Sequence, residues 1–292
     1  MLLSLLLWAC DSDVSIIKRL DEETGQAIGV GEPGEPAAIP SSEPGWEQER
    51  GGVTGLSTMY LRQLACPACM GETQELLLEY EAIFHEPISD SWNSWIPEDG
   101  VCTENLYQTT PSTQPISVGS QLQVQSNTQQ FVVPQVGQNT YFTNNIWEAQ
   151  LGRNTDHQVQ TEQGSFTYTT VEGFAWIEPY TMLWVDPSYA FEAPVYRSGF
   201  TVTWAPPRQS SRMKITIGIY SGDGAFILGQ VSCFGPDSGM MVIPAQYLNY
   251  PTWSLVAIHM ERFEVDFVET DINNAYMETL QIWEVVGTGH IE

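Results

Sequence analysis

From residue 53 onward, short runs of alternating apolar and polar residues recur along the chain, and this period of two limits the fold more than any other feature. Leu122-Gln-Val124, Phe200-Thr-Val202-Thr-Trp204 and Lys214-Ile-Thr-Ile-Gly-Ile219 each place their apolar side chains on one side of an extended strand. STMYLRQLA, LLLEYEAIF, QFVVPQV, SFTYTTVEGFAWIE, MMVIPA, WSLVAIHMERFEVDFV and LQIWEVVG have a similar β-forming composition, although the second is also compatible with a short helix. Turn signals lie between them at Gly152-Arg-Asn154, Asp186-Pro187, Pro206-Pro207, Ser221-Gly-Asp-Gly224 and Gly235-Pro-Asp237. No segment carries a long apolar stripe of helical period. The pattern predicts an all-β protein, built as an antiparallel β-sandwich or jelly roll. A proline-rich break over 176–196 divides a first β region, 53–180, from a C-terminal β-sandwich region, 181–292. Both two packed β-domains and a single unit fit this division. Trp204 and Trp283 alternate with apolar neighbours and are expected in the core.

The first 52 residues read differently. The chain opens MLLSLLLWACDSD, an apolar run too short to span a bilayer as a helix, ending in the small Ala9 before Cys10. Leu7-Trp8-Ala9-Cys10 resembles the lipobox of a bacterial lipoprotein signal. That resemblance implies removal of a 1–9 signal peptide, a diacylglycerol thioether on the Cys10 sulfur and acylation of the new N-terminus by a chain such as palmitate. Several acyl chains anchor stably, because each buried methylene adds about 0.8 kcal/mol. Residues 10–52 are rich in Gly, Pro and Glu, lack apolar periodicity and suit an extended, self-repelling tether. The order of anchor, tether and body places the protein in the bacterial cell envelope. The body is then expected in the periplasm or at the exterior, with the choice of inner or outer membrane left open.

The charge balance excludes one class of partner. Thirty-six acidic residues stand against ten basic ones, a formal net charge of −26. Nucleic-acid phosphates and anionic lipid surfaces repel such a chain. Only three basic and ten acidic residues precede residue 53, so the body is strongly acidic in its own right. Self-repulsion of this kind keeps a protein soluble, and an acidic surface also suits a saline or calcium-rich exterior or cationic partners.

Cys66-Pro-Ala-Cys69 admits three readings: structural disulfides, a redox dithiol or half of a zinc site. A redox dithiol needs a strand-to-helix context that lowers the thiol pKa, which the flanking sequence does not supply. A zinc site needs a second close pair, whereas Cys102 and Cys233 are isolated and His85, His157, His259 and His290 show no ligand spacing. With Cys10 lipidated, four cysteines remain, and in an exported protein these most simply form two disulfides. The expected pairing is Cys69 with Cys102, closing the shorter loop, and Cys66 with Cys233.

Catalytic motifs are missing: no nucleophile elbow, HExxH, phosphate loop or dinucleotide fingerprint occurs, so no catalytic residue is assigned. Carboxylates are numerous, but no pair is singled out for glycoside cleavage. Asp271-Ile-Asn273-Asn274-Ala-Tyr-Met-Glu278 spaces oxygen donors loosely as a calcium loop does, without its turn glycine, so calcium is a weak expectation and no other metal or cofactor is implied. Trp92 and Trp95, in DSWNSWIPEDG, form a candidate ligand-stacking pair for sugar rings or a protein surface. Together these features predict a membrane-anchored surface lipoprotein with a structural or binding role, met by a protein or glycan partner. The alternatives are a carbohydrate-binding or carbohydrate-cleaving surface module and, third, an envelope thiol oxidoreductase.

Overall fold

A computed structural model describes residues 52–64, 75–89, 91–92, 96–104, 111–126, 130–147, 156–170, 175–176 and 194–292. Cys10, Cys66, Cys69, Trp95, the signal and the tether up to residue 51 lie outside the described residues. The body is all-β. Its strands are β1 Val53–Leu64, β2 Glu75–Ile88, β3 Cys102–Thr103, β4 Gln121–Gln125, β5 Gln130–Pro134, β6 Thr140–Trp147, β7 Asp156–Gln160 and β8 Ser165–Thr169. After these come β9 Ala175–Trp176, β10 Pro194–Val195, β11 Phe200–Ala205, β12 Arg212–Tyr220, β13 Ile227–Pro236, β14 Met240–Ile243, β15 Leu255–Thr270 and β16 Ala275–Ile291.

One large sheet runs β3-β13-β12-β15-β16-β1-β2-β6, with β10 alongside the end of β16. Two smaller sheets, β5-β4-β7-β8 and β14-β11-β9, complete the described strands. The pairings are antiparallel except that β1 and β10 each run parallel to β16, so the large sheet is mixed. Strands from both sides of residue 180 share it.

Alternation explains how the layers meet. In β4 and β7 every second residue is buried, which sends Leu122, Val124, His157 and Val159 inward and the glutamines outward. Their apolar side chains join one core with Met59, Leu61, Tyr80, Ile215, Ile217, Met260 and Trp283 of the large sheet and with Phe200, Val202 and Trp204 of β11. Each fully buried aliphatic or aromatic side chain contributes about 1.5–3 kcal/mol. Tyr80 stacks on Tyr168 at 6.4 Å and meets the edge of Phe131 at 6.2 Å, tying the large sheet to the four-stranded one. The Ser57 hydroxyl donates to the Tyr80 oxygen at 2.8 Å, while burial pushes the Tyr80 phenol well above its ordinary pKa.

The long β15–β16 hairpin is turned by Asp271–Asn274, where Asn273 and Asn274 adopt φ of 55° and 48°. Asparagine tolerates this left-handed region, and two such residues in succession suit a tight hairpin. The segment read as loosely calcium-like is therefore this turn plus the start of β16. Its Glu278 is fully buried and accepts hydrogen bonds from Ser91 Oγ and the Trp92 N–H, both at 2.7 Å. At Gly55 the β1–β2 register shifts, and a Cβ there would stand 2.3 Å from the Ile83 carbonyl oxygen.

The disulfide expectation needs correction. Cys102 is bonded to Cys233, with Cα atoms 4.0 Å apart, so neither Cys69–Cys102 nor Cys66–Cys233 forms. The two residues stand directly opposite each other across β3 and β13, a cross-strand proximity that loop length alone does not reveal.

Candidate functional site

A cluster of exposed large apolar side chains lies where β16 ends. Three segments converge there. The β12–β13 turn is closed by Ser221 N–H donating to the Phe226 carbonyl at 2.8 Å. The Asp223 carboxylate accepts from Ser221 Oγ and from the Ala225 N–H, and these bonds, the serine's first, hold its carboxyl below the ordinary pKa. Beyond the turn come Phe226, Ile227 and Leu228, all exposed, with Phe226 at 70%. In β13, Ile219 faces Gly229 while Tyr220 faces Ile227, so Leu228 is the extra residue of a bulge. Bulges re-aim side chains, and here three successive large apolar groups reach solvent.

The second segment is Pro251–Ser254. Trp253 is 66% exposed and holds φ of 68°, a conformation that costs a non-glycine residue about 1–3 kcal/mol. Its N–H donates to the Ile291 carbonyl at 2.8 Å, and its indole stacks on His290 at 4.4 Å with the rings 9° apart. Its carbonyl oxygen lies 3.1 Å from the place where a Cβ on Gly222 would stand, which joins this loop to the β12–β13 turn. Tyr250 crosses Gly229 so closely that a Cβ there would sit 1.9 Å from the phenol oxygen. Burial, and secondarily the charge of Glu104, raise that phenol's pKa.

The third segment follows β10. Tyr196 is exposed, the Arg197 N–H donates to the Glu292 carbonyl at 3.2 Å and the Arg197 guanidinium donates to Thr252 Oγ1. The cluster therefore presents the exposed Trp253 ring on a strained loop, the exposed Tyr196 after β10, a three-residue apolar tip and Arg197.

The cluster sits far from where the body begins. β1 starts with Val53 opposite Tyr276, near the start of β16, and runs parallel to it. The fourteen steps from Tyr276 to His290 span about 46 Å at roughly 3.3 Å each.

Other candidates resolve into packing. Trp92 is only 7% exposed; it packs with Leu56, Phe234, Phe263 and Leu280 on the outer face of the large sheet. Its indole N–H donates to His85 Nε2 at 2.7 Å, so His85 carries its proton on Nδ1 and donates to the Glu86 carbonyl at 2.7 Å. Burial lowers the His85 pKa, while the Glu86 bond and the Glu278 charge oppose this. Lys214 Nζ lies 2.5 Å from Glu261 Oε2, and His259 Nδ1 lies 2.6 Å from Glu284 Oε1. Among the described residues no group of three or more His, Cys, Asp or Glu side chains is gathered as metal ligands.

The apolar end cluster was missed in the sequence. The signal was there in part: Phe226-Ile-Leu228 follows the Ser221–Gly224 turn without alternation, which is unusual for a half-buried strand. Trp253 gave no such sign. No protein-family model matches this chain, and no curated protein is significantly similar to it.

Proposed function

We propose that this protein is a non-catalytic binding protein of the bacterial cell envelope, lipid-anchored through Cys10, which captures a protein partner with the aromatic end of its β-sandwich. The observation that carries the reading is Trp253, whose exposed ring is held against His290 on a backbone of unfavourable φ. Strain of that kind persists where the surroundings fix a side chain for use. Exposed aromatic anchors beside an arginine are the residue types that dominate protein–protein binding energy. The lipobox-like Leu7-Trp8-Ala9-Cys10 and the acidic tether supply the anchor, and the cluster's position, remote from the first residue of β1, favours presentation away from the membrane.

The test is site-specific photocrosslinking in intact cells. A crosslinker at position 226 is expected to yield a discrete adduct that is lost in Trp253→Ala, while one at exposed Glu98 yields none. Equal labelling at both positions, or an adduct at 226 unaffected by Trp253→Ala, would refute the binding reading. In the same cells Cys10→Ser is expected to release the protein from membranes; retention would refute the anchor.

One observation favours a second reading, an envelope thiol oxidoreductase. Cys102 and Cys233 are joined to each other, so neither is available to make Cys66-Pro-Ala-Cys69 a structural staple, and a Cys-x-x-Cys motif is the arrangement that disulfide exchange uses. Reductase assays against a Cys66→Ser variant separate the two.

A further inference from the structure

The solvent side of the β5-β4-β7-β8 sheet is nearly uncharged, although the protein is strongly acidic. Alternation sends twelve side chains outward. Gln121, Gln123 and Gln125 come from β4, and Gln130, Val132 and Pro134 from β5. Asp156, Gln158 and Gln160 come from β7, and Ser165, Thr167 and Thr169 from β8. Half are glutamines, one is ionisable and none is basic, in a chain of net charge −26. The register sets them in rows, with Gln130 beside Gln125 beside Gln158 beside Thr167, and Val132 beside Gln123 beside Gln160 beside Ser165. Strands lie about 4.8 Å apart and like-facing residues about 6.7 Å along each strand, so the amides form a grid.

The amides are weakly committed to one another. Gln130 Nε2 donates to Gln123 Oε1 at 3.2 Å and Gln160 Nε2 to Gln158 Oε1 at 3.5 Å, contacts at the long end of hydrogen bonding. The one charge, Asp156 at a corner, accepts from Thr169 Oγ1 at 2.6 Å. Each glutamine offers two N–H donors and a carbonyl acceptor, and each hydroxyl both donates and accepts.

We infer that this face binds a neutral polysaccharide. The occupant follows from charge and hydrogen-bonding complementarity. Polyanions are repelled by the acidic body, and a polycation would settle on the acidic surface elsewhere rather than on a face with one carboxylate. A neutral chain of hydroxyls meets no repulsion, and paired hydroxyls match an array of groups that both donate and accept. Without an aromatic platform on this face, binding is expected to be weak per sugar and to build along the polymer. This site is separate from the Trp253 cluster and does not depend on it.

The experiment is depletion of the full mature protein by insoluble neutral polysaccharides (cellulose, chitin, starch and a β-1,3-glucan) at 0.15 M and about 1 M salt. Retention by at least one polymer, unchanged at high salt, is expected. Gln123→Glu with Gln158→Glu, nearly isosteric changes that add charge, should weaken retention by tenfold or more, and the single Gln158→Glu by a smaller factor at unchanged Tm. Phe226→Ala and Trp253→Ala should retain as the parent does. No retention on any polymer overturns the proposal, as does retention that survives both glutamine variants or is lost at high salt. If sedimentation shows self-association that the Gln→Glu pair abolishes, while no polysaccharide is retained, the face is a contact between copies and the proposal fails.

Discussion

Removing the Cys102–Cys233 bridge tests the covalent frame of the body. The linked residues are 131 apart in sequence, and the chain-entropy relation gives about 5 kcal/mol for a loop of that size. The shorter loop expected between Cys69 and Cys102 would have given about 4 kcal/mol by the same relation. Cys233 is buried in the main core, so its replacement by serine adds the cost of a buried hydroxyl unless a partner is found. The Cys102→Ser/Cys233→Ser variant is expected to lose about 3–5 kcal/mol, which for a body of this size lowers Tm by roughly 6–20 °C. Differential scanning calorimetry of the oxidised parent and the variant reads the change. Non-reducing peptide mapping of the parent must show the Cys102 and Cys233 peptides joined. A loss below about 1 kcal/mol would mean that β3 is held without the bond, against the entropy argument. A map joining Cys69 to Cys102 would refute the pairing itself.

Two further outcomes follow from buried polar groups. Arg262 and Asp237 are both fully buried, with Nε 2.6 Å from Oδ2, and the Trp204 indole N–H donates to the other Asp237 oxygen. Asp237→Ala removes the carboxylate from this buried pair and should cost about 3–5 kcal/mol in urea unfolding; a cost under about 1 kcal/mol would show that the pair contributes little. His85, with its pKa lowered in the fold below the ordinary value near 6.5, binds fewer protons folded than unfolded, so stability rises with pH. Its contribution is complete above about pH 6.5 and is lost as pH falls through the lowered pKa; His85→Asn should flatten the pH dependence of Tm between about pH 7.5 and 5, and an unchanged slope would refute it.

Much of the architecture was readable from period two. The alternation seen in QLQVQ and FTVTWA corresponds to strands β4 and β11 with the burial it implies, and LLLEYEAIF lies within strand β2 rather than a helix. Strands with weak or interrupted apolar patterns went unseen: DHQVQ of β7 is nearly all polar, TYFTNNIW of β6 contains two asparagines, and β13 carries two glycines. The parallel pairing of β1 with β16 has no local signal, because it joins distant segments. Trp204 and Trp283 are buried as their neighbours suggest. Trp92 is buried too, because His85 and Glu278, remote in pattern from it, supply partners for its polar groups. Flanking polar residues could not reveal that. The glutamine face was present as alternation, but its meaning depends on which strands lie side by side.

The placement of β1 between β16 and β2 also orders events in time. β1 is the first described strand and β16 the last, yet they are neighbours. At roughly 5–20 residues per second, the 220 or so residues between Val53 and its partner Tyr276 take about 11–44 s to synthesise. Through that interval one edge of β1 has no strand to pair with, and the main sheet stays open as two pieces. A chain arranged in this way cannot close its main sheet until its final strand is made, so the sheet is completed only after synthesis ends.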